Sequence, residues 1–187
     1  VGVTARTPDY RLFSADKKGI KVFGVDPEAC NRLMGAGVKC NGDFNHLIKR
    51  IDVIIDATPA GVGRENKAKY DTAKIKSIFQ GGEEHDLTGF SFVAQVNYKD
   101  ALGKESLRVV SCNTTAICRV THPFVEEGIL EKAYMALARR GVDPVDSHEQ
   151  GPLGTITLED SIPSHQGPDA QTIIPNLSIL TVVVAVP

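Results

Sequence analysis

Apolar runs of strand length alternate with amphipathic stretches along this chain, the pattern of a sheet with crossover helices. Ile51-Asp52-Val53-Ile54-Ile55-Asp56-Ala57-Thr58 is rich in β-branched residues and predicts a buried, parallel-type strand. Pro59-Ala60-Gly61-Val62-Gly63 then reads as a turn, and a polar helix is predicted from about Arg64 to Tyr70. The same order recurs where Lys76-Ser77-Ile78-Phe79-Gln80 runs into Gly81-Gly82-Glu83-Glu84-His85. Upstream, Asp26-Pro27 marks a helix start, Arg32-Leu33-Met34 its last turn, and Gly35 and Gly37 its end. Because Gly35-Ala36-Gly37-Val38-Lys39-Cys40 follows a helix and lacks a third glycine, it reads as a C-cap and turn, not as a dinucleotide fingerprint.

The second half has a different character. Leu107 to Val110 predicts a strand, after which Ser111-Cys112-Asn113-Thr114-Thr115 opens a helix with Ile117 and Val120 on its apolar face, ending near His122-Pro123. Residues 132–139 alternate Ala133, Met135 and Leu137 with Tyr134, Ala136 and Ala138, a strand that delivers Arg139 and Arg140 to its end. Gly151-Pro152, Pro163 and Gly167-Pro168 break the next stretch into a loop, and residues 177–186 predict a final buried strand.

Composition narrows the possibilities without choosing among them. The 187 residues carry 21 Lys and Arg against 23 Asp and Glu, a net charge of −2, which gives no electrostatic footprint for nucleic acid. No apolar run is long enough to span a bilayer as a helix, and a soluble globular chain is expected. Four cysteines (Cys30, Cys40, Cys112 and Cys118) do not suggest a disulfide framework in a chain of this length, and a reducing cytoplasm is the simplest setting. Cys30 and Cys40 lack nearby partner ligands, so no metal site is expected. The sequence starts at Val1 and stops at Pro187 directly after an apolar run, from which a part of a longer protein is expected.

Cys112 is the residue that carries chemistry. A cysteine just after a strand and at the start of a helix faces unpaired backbone N–H groups and the positive end of the helix dipole, both of which favour the nucleophilic thiolate. Asn113, Thr114 and Thr115 add hydrogen-bonding groups beside it. The competing reading is a small buried hydrophobe at a strand end. Likewise, glycines after the two strands at 51–58 and 76–80 are either simple turns or places where a ligand approaches the backbone at the carboxyl ends of a sheet. Arg139-Arg140 is either a solvated edge or a planar phosphate clamp.

Five segments together resemble the archaeal-type glyceraldehyde-3-phosphate dehydrogenases: Asp56-Ala57-Thr58-Pro59, Phe79-Gln80-Gly81-Gly82-Glu83, Val109-Val110-Ser111-Cys112-Asn113-Thr114-Thr115, Arg139-Arg140-Gly141 and Pro163-Ser164-His165-Gln166-Gly167-Pro168-Asp169. Their order and approximate spacing match along essentially the whole chain. The resemblance implies an α/β chain: a partial Rossmann-type nucleotide-binding domain over 1–111, then part of an α+β catalytic domain over 112–187. It also implies a phosphorylating enzyme that oxidises glyceraldehyde 3-phosphate with NAD or NADP and inorganic phosphate, as a cytoplasmic homotetramer with no nucleic-acid or membrane partner. Carried over by position, Cys112 is the nucleophile, Ser111, Asn113, Gln166 and Gly167 contact substrate, and Gly82 and Arg140 contact the cofactor. Arg6 is the only nearby cation in the loop after the strand that would meet the 2′-phosphate, and NADP is expected to be accepted at least as well as NAD.

Departures from that pattern are specific. Many members have a histidine where this chain has Gln166, which keeps hydrogen bonding but removes a titratable ring. The family's glycine fingerprint would lie upstream of Val1 and its catalytic histidine beyond Pro187, so the 187 residues alone are expected to be inactive or nearly so. Two other readings stand beside this one: a reductase like aspartate-semialdehyde dehydrogenase, which shares a cysteine after a strand, and a non-catalytic nucleotide-binding module in which Cys112 is structural.

Overall fold

The computed structural model describes residues 1–140, 156–158 and 161–186, with Arg140 and Thr157 described by their backbone alone. The chain divides into two units, Val1–Ile54 with Asn66–Ser77, and Ile55–Glu65 with Ile78–Pro187. The expected boundary between residues 111 and 112 falls inside the second of these.

The first unit begins as a repeated strand and helix: β1 (Gly2–Ala5), α1 (Tyr10–Lys17), β2 (Lys21–Gly24), α2 (Pro27–Gly35), β3 (Cys40–Asp43) and α3 (Phe44–Ile48). Its strands form a parallel sheet in the order β1-β2-β3. Each helix starts where an aspartate accepts a backbone N–H three residues on: Asp9 from Leu12, Asp26 from Ala29, Asp43 from His46. This satisfies one of the N–H groups that every helix start leaves free. Leu12, Val22, Leu33 and Val38 close a small core under these helices. Gly37 has φ of +86°, so the Gly35–Gly37 stretch is the helix-ending turn that its position implies.

Cys30 and Cys40 form a disulfide, where the cysteines were expected to form no disulfide framework. The cause is tertiary. Pro27 starts α2 directly after β2, α2 folds back along β3, and the two Cα atoms come within 5.7 Å, inside the range that a disulfide spans.

Four further strands form a second sheet in the order β4-β5-β7-β6: β4 (Val53–Asp56), β5 (Lys76–Phe79), β6 (Ser91–Phe92) and β7 (Ser106–Val109). Backbone bonds from Lys76 to Asp52 and from Gln80 to Asp56 keep one offset at both ends, so β4 and β5 run parallel; β6 and β7 are parallel too. The helix after β4, α4 (Val62–Thr72), starts two residues before its expected position. β4 is not the buried strand that its composition implies. It lies at the sheet edge, with Val53 48% and Ile55 61% exposed.

The rest of the second unit comprises α5 (Ala94–Ala101), α6 (Cys112–Glu126), β8 (Lys132–Arg140), β9 (Thr157–Leu158), α7 (Gln166–Gln171) and β10 (Ser178–Val186). β10 pairs in parallel with β8 over nine residues and antiparallel with β9. The alternation read in β8 holds: Ala133, Met135 and Leu137 pack on a core of Val110, Ile117, Ala170, Ile173, Ile174, Leu177 and Ile179. Two expectations change. α6 continues through Pro123 to Glu126 and leaves Val120 exposed, and the segment around Gln166 is a short helix, not a loop. No helix among the described residues is long and apolar enough to cross a membrane.

Candidate active site

β7 ends at Val109, and α6 opens three residues later on Cys112. Ser111 makes that corner. Its Oγ accepts the N–H of Thr114 at 3.1 Å and lies 3.0 Å from the Thr114 hydroxyl, while its carbonyl accepts the N–H of Thr115 at 2.8 Å. Cys112, at the first helical position, is a free and exposed thiol. Among the described residues, the backbone N–H groups of Cys112 and Asn113 have no acceptor, so the positive end of α6 is open beside the sulfur. Asn113 itself is half-buried.

An open pocket of about 500 Å³ lies against this corner, walled by Gln80, Val110, Ser111, Cys112, Thr115 and Arg119 among others. Cys112, Thr115 and Arg119 are spaced three and four apart, which puts a thiol, a hydroxyl and a cation on one face of α6. Gln80 arrives from the end of the neighbouring β5. Gln80 lies within one of the five resembling segments but was assigned no role, and Arg119 did not stand out in the sequence; an arginine at helical spacing from a cysteine was the signal that could have found it.

The other free thiol lies in a different setting. Cys118, two turns into α6, is fully buried, and burial first, then the negative charge of Asp169, push its pKa from an ordinary 9.0 to about 11.

The remaining expected site residues are distributed more widely. Gly82 is exposed at φ +94°, and a Cβ on the preceding Gly81 would overlap the Thr58 carbonyl oxygen, so both glycines are required by backbone geometry. Gln166 and Gly167 form the first turn of α7 and are buried, lining no part of the pocket; among the described residues Gln166 Oε1 has no hydrogen-bond partner. Gly167 lies so close to Thr181 that a Cβ would stand 3.0 Å from its Oγ1. Arg140 is the last residue of β8, and its side chain lies outside the described residues. In the first unit, Arg6 is exposed just past β1, its carbonyl accepting from Arg32 Nη2 at 3.3 Å.

The glycine turn after β4 is closed from within the chain. Glu83, 7% exposed, accepts the N–H groups of Gly61 at 2.9 Å and Gly63 at 2.8 Å. An internal carboxylate therefore holds the start of α4, where a phosphate would otherwise be attracted. Among the described residues no group of three or more His, Cys, Asp or Glu could hold a metal ion.

Parallel strands ending in glycine turns, followed by a free thiol at a strand-to-helix corner, define the class: an α/β chain with a Rossmann-like strand-helix pattern and an exposed cysteine at the start of α6. Aspartate semialdehyde dehydrogenase II of Vibrio cholerae shares the fold, with a TM-score of 0.57 over 94% of this chain and 62% of that one, at 10% identity. No family model matches the chain. Its sequence is 44% identical over 187 residues to the glyceraldehyde-3-phosphate dehydrogenase of Thermococcus kodakarensis, 43% over 175 residues to that of Pyrococcus furiosus, and 42% over 188 residues to that of Methanococcoides burtonii. These alignments cover 94–100% of this chain and 52–56% of each relative. The resemblance to the archaeal-type glyceraldehyde-3-phosphate dehydrogenases is thus borne out from one end of the chain to the other, and the chain spans about half the length of the relatives it matches.

Proposed function

We propose that this chain is the nucleotide-binding and thiol-bearing part of a phosphorylating glyceraldehyde-3-phosphate dehydrogenase that uses NAD or NADP. The observation that carries the reading is the exposed, unoxidised Cys112 at the open start of α6, in a pocket with Thr115 and Arg119. Sequence similarity selects this reading over an aspartate-semialdehyde reductase, which the fold alone would equally allow.

In this reading the Cys112 thiolate attacks the aldehyde carbon and forms a hemithioacetal. A bound nicotinamide ring supplies the hydride acceptor. The resulting thioester on Cys112 is then split by inorganic phosphate, giving the acyl phosphate and restoring the thiol. The N–H groups of Cys112 and Asn113, which have no acceptor among the described residues, stand where they can stabilise the oxygen on which negative charge develops. Arg119 and Thr115 stand on the same wall for an anionic substrate, while Ser111, Asn113, Gln166 and Gly167 remain the proposed substrate contacts. Gly82 fits a cofactor contact because it is exposed, with the Ala60 Cβ at 3.7 Å the nearest atom to an added side chain. Arg140 is the second proposed contact. The expected domains, 1–111 and 112–187, a homotetramer and a cytoplasmic setting belong to the same proposal.

Phosphate-dependent reduction of NAD or NADP by glyceraldehyde 3-phosphate, in a protein carrying this chain within a full-length partner sequence, tests it. Turnover of aspartate semialdehyde but not of glyceraldehyde 3-phosphate would overturn it. The 187 residues alone should show no steady turnover. Arg6→Ala should lower the NADP-to-NAD ratio of kcat/KM about tenfold, through loss of one charge-assisted contact to the 2′-phosphate; an unchanged ratio removes Arg6 from the cofactor site.

A further inference from the structure

Arg108 sits in the middle of β7, between Leu107 and Val109, and is 3% exposed. A guanidinium inside a strand core is sustained only when its donors are satisfied and its charge is met. Each of its three nitrogens has a partner from a different segment. Nε donates to Ser91 Oγ at 2.7 Å, directly across the β6–β7 ladder. Nη1 donates to the Glu83 carbonyl at 2.8 Å, and Nη2 to Asp169 Oδ1 at 2.7 Å, from 61 residues away.

Those partners adjoin the proposed site at every point. Glu83 follows Gly82, the proposed nicotinamide contact. Asp169 lies in α7, one turn after Gln166 and Gly167. Arg108 itself stands four residues before Cys112, on the strand that feeds α6. We infer that Arg108 is a positioning residue which sets the cofactor loop, the nucleophile corner and the α7 substrate segment in one register, through a single buried guanidinium. The inference rests on the proposed dehydrogenase reading of Cys112. Lysine cannot replace it, because a point charge on a flexible stem cannot reach three acceptors set out for a planar fork.

The test uses a full-length protein that contains this chain, with the two variants Arg108→Lys and Asp169→Asn. Wild type comes first: if it shows no phosphate-dependent oxidation of glyceraldehyde 3-phosphate, the dehydrogenase reading itself fails. With an active wild type, Arg108→Lys should lower kcat roughly 10- to 100-fold while KM for aldehyde and cofactor changes only a few-fold, since a misplacement of about 1 Å costs rate more than binding. Asp169→Asn keeps an acceptor for Nη2 but removes the counter-charge, and should lower kcat by a smaller factor in the same direction. Alkylation of Cys112 by iodoacetamide in the folded variants gives a second readout that does not need turnover, with the rate expected to change at least threefold. A purely structural Arg108 would lower the melting temperature while leaving kcat per folded molecule and Cys112 alkylation at wild-type values, and that result overturns the inference. Should Arg108→Lys not fold, Asp169→Asn decides by the same two readouts.

Discussion

Of the helix starts that follow parallel strands in this chain, two are used in opposite ways. At α4 the turn amides of Gly61 and Gly63 are taken by the buried Glu83 carboxylate. At α6 the cap is the small hydroxyl of Ser111, which engages Thr114 and leaves the first two N–H groups and the Cys112 thiol facing an open pocket. Both ends carry the same partial positive charge. A long acidic side chain reaching back from 20 residues away neutralises the first, while a one-carbon cap on the second satisfies the helix without covering it. Strand, glycine or serine, helix is therefore not enough to identify a site; what matters is whether the chain spends the free amides on itself.

The strongest way to break this contrast is Cys112→Ser. In the full-length protein it should lower turnover about 10⁴-fold or more, because a serine hydroxyl ionises far less readily than a thiol and is a far weaker nucleophile; steady-state kinetics with glyceraldehyde 3-phosphate read it out, and residual activity near wild type would make Cys112 structural. Next comes alkylation of the two free thiols at pH 7, followed by mass spectrometry. Cys112 should react at least about 100-fold faster than Cys118, which is both buried and held protonated. Comparable rates would mean that α6 does not discriminate its two cysteines.

Cys118 also carries a pH signature. Its pKa in the folded chain is raised, so its contribution to stability is complete below the unfolded value of 9.0 and is lost as pH rises through about 11. Denaturant titrations should show stability falling across that alkaline interval, with Cys118→Ala flattening the fall. Glu83→Ala should destabilise by about 1–3 kcal/mol, since the buried Gly63 N–H loses its acceptor, and leave Cys112 alkylation unchanged. A changed alkylation rate would show the two corners to be coupled. Smallest in stability is Ser111→Ala, expected to cost about 1 kcal/mol as an exposed N-cap, measured by thermal melting.

Much of the architecture was legible beforehand because it is local. Asp26-Pro27 and Gly37 bracket α2 by capping and left-handed turn chemistry, and the alternation from Ala133 to Leu137 marks the core face of β8. The placement of Cys112 at a helix start follows from Ser111 and the strand before it, all within a few residues. Errors arose where an element's neighbours decide the outcome. Ile55 looks like a core residue, but β4 is at an edge. Cys30 and Cys40 look unpaired, but α2 folds back along β3. Arg108 attracted no notice, although a lone arginine inside Leu107 to Val110 was a visible anomaly in an apolar run.

The sequence by itself determined the elements, the corner that presents Cys112 and, through motifs in register, the likeness to archaeal-type glyceraldehyde-3-phosphate dehydrogenases. Only the tertiary structure decided which amides, charges and thiols find partners: Glu83 with the α4 turn, Arg108 with Asp169 and Cys30 with Cys40, while Cys112 stays a free, exposed thiol. Capping and periodicity act over three or four residues and leave a trace in spacing. Pairings 10 to 61 residues apart are set by how sheets and helices pack, and no local pattern encodes that distance.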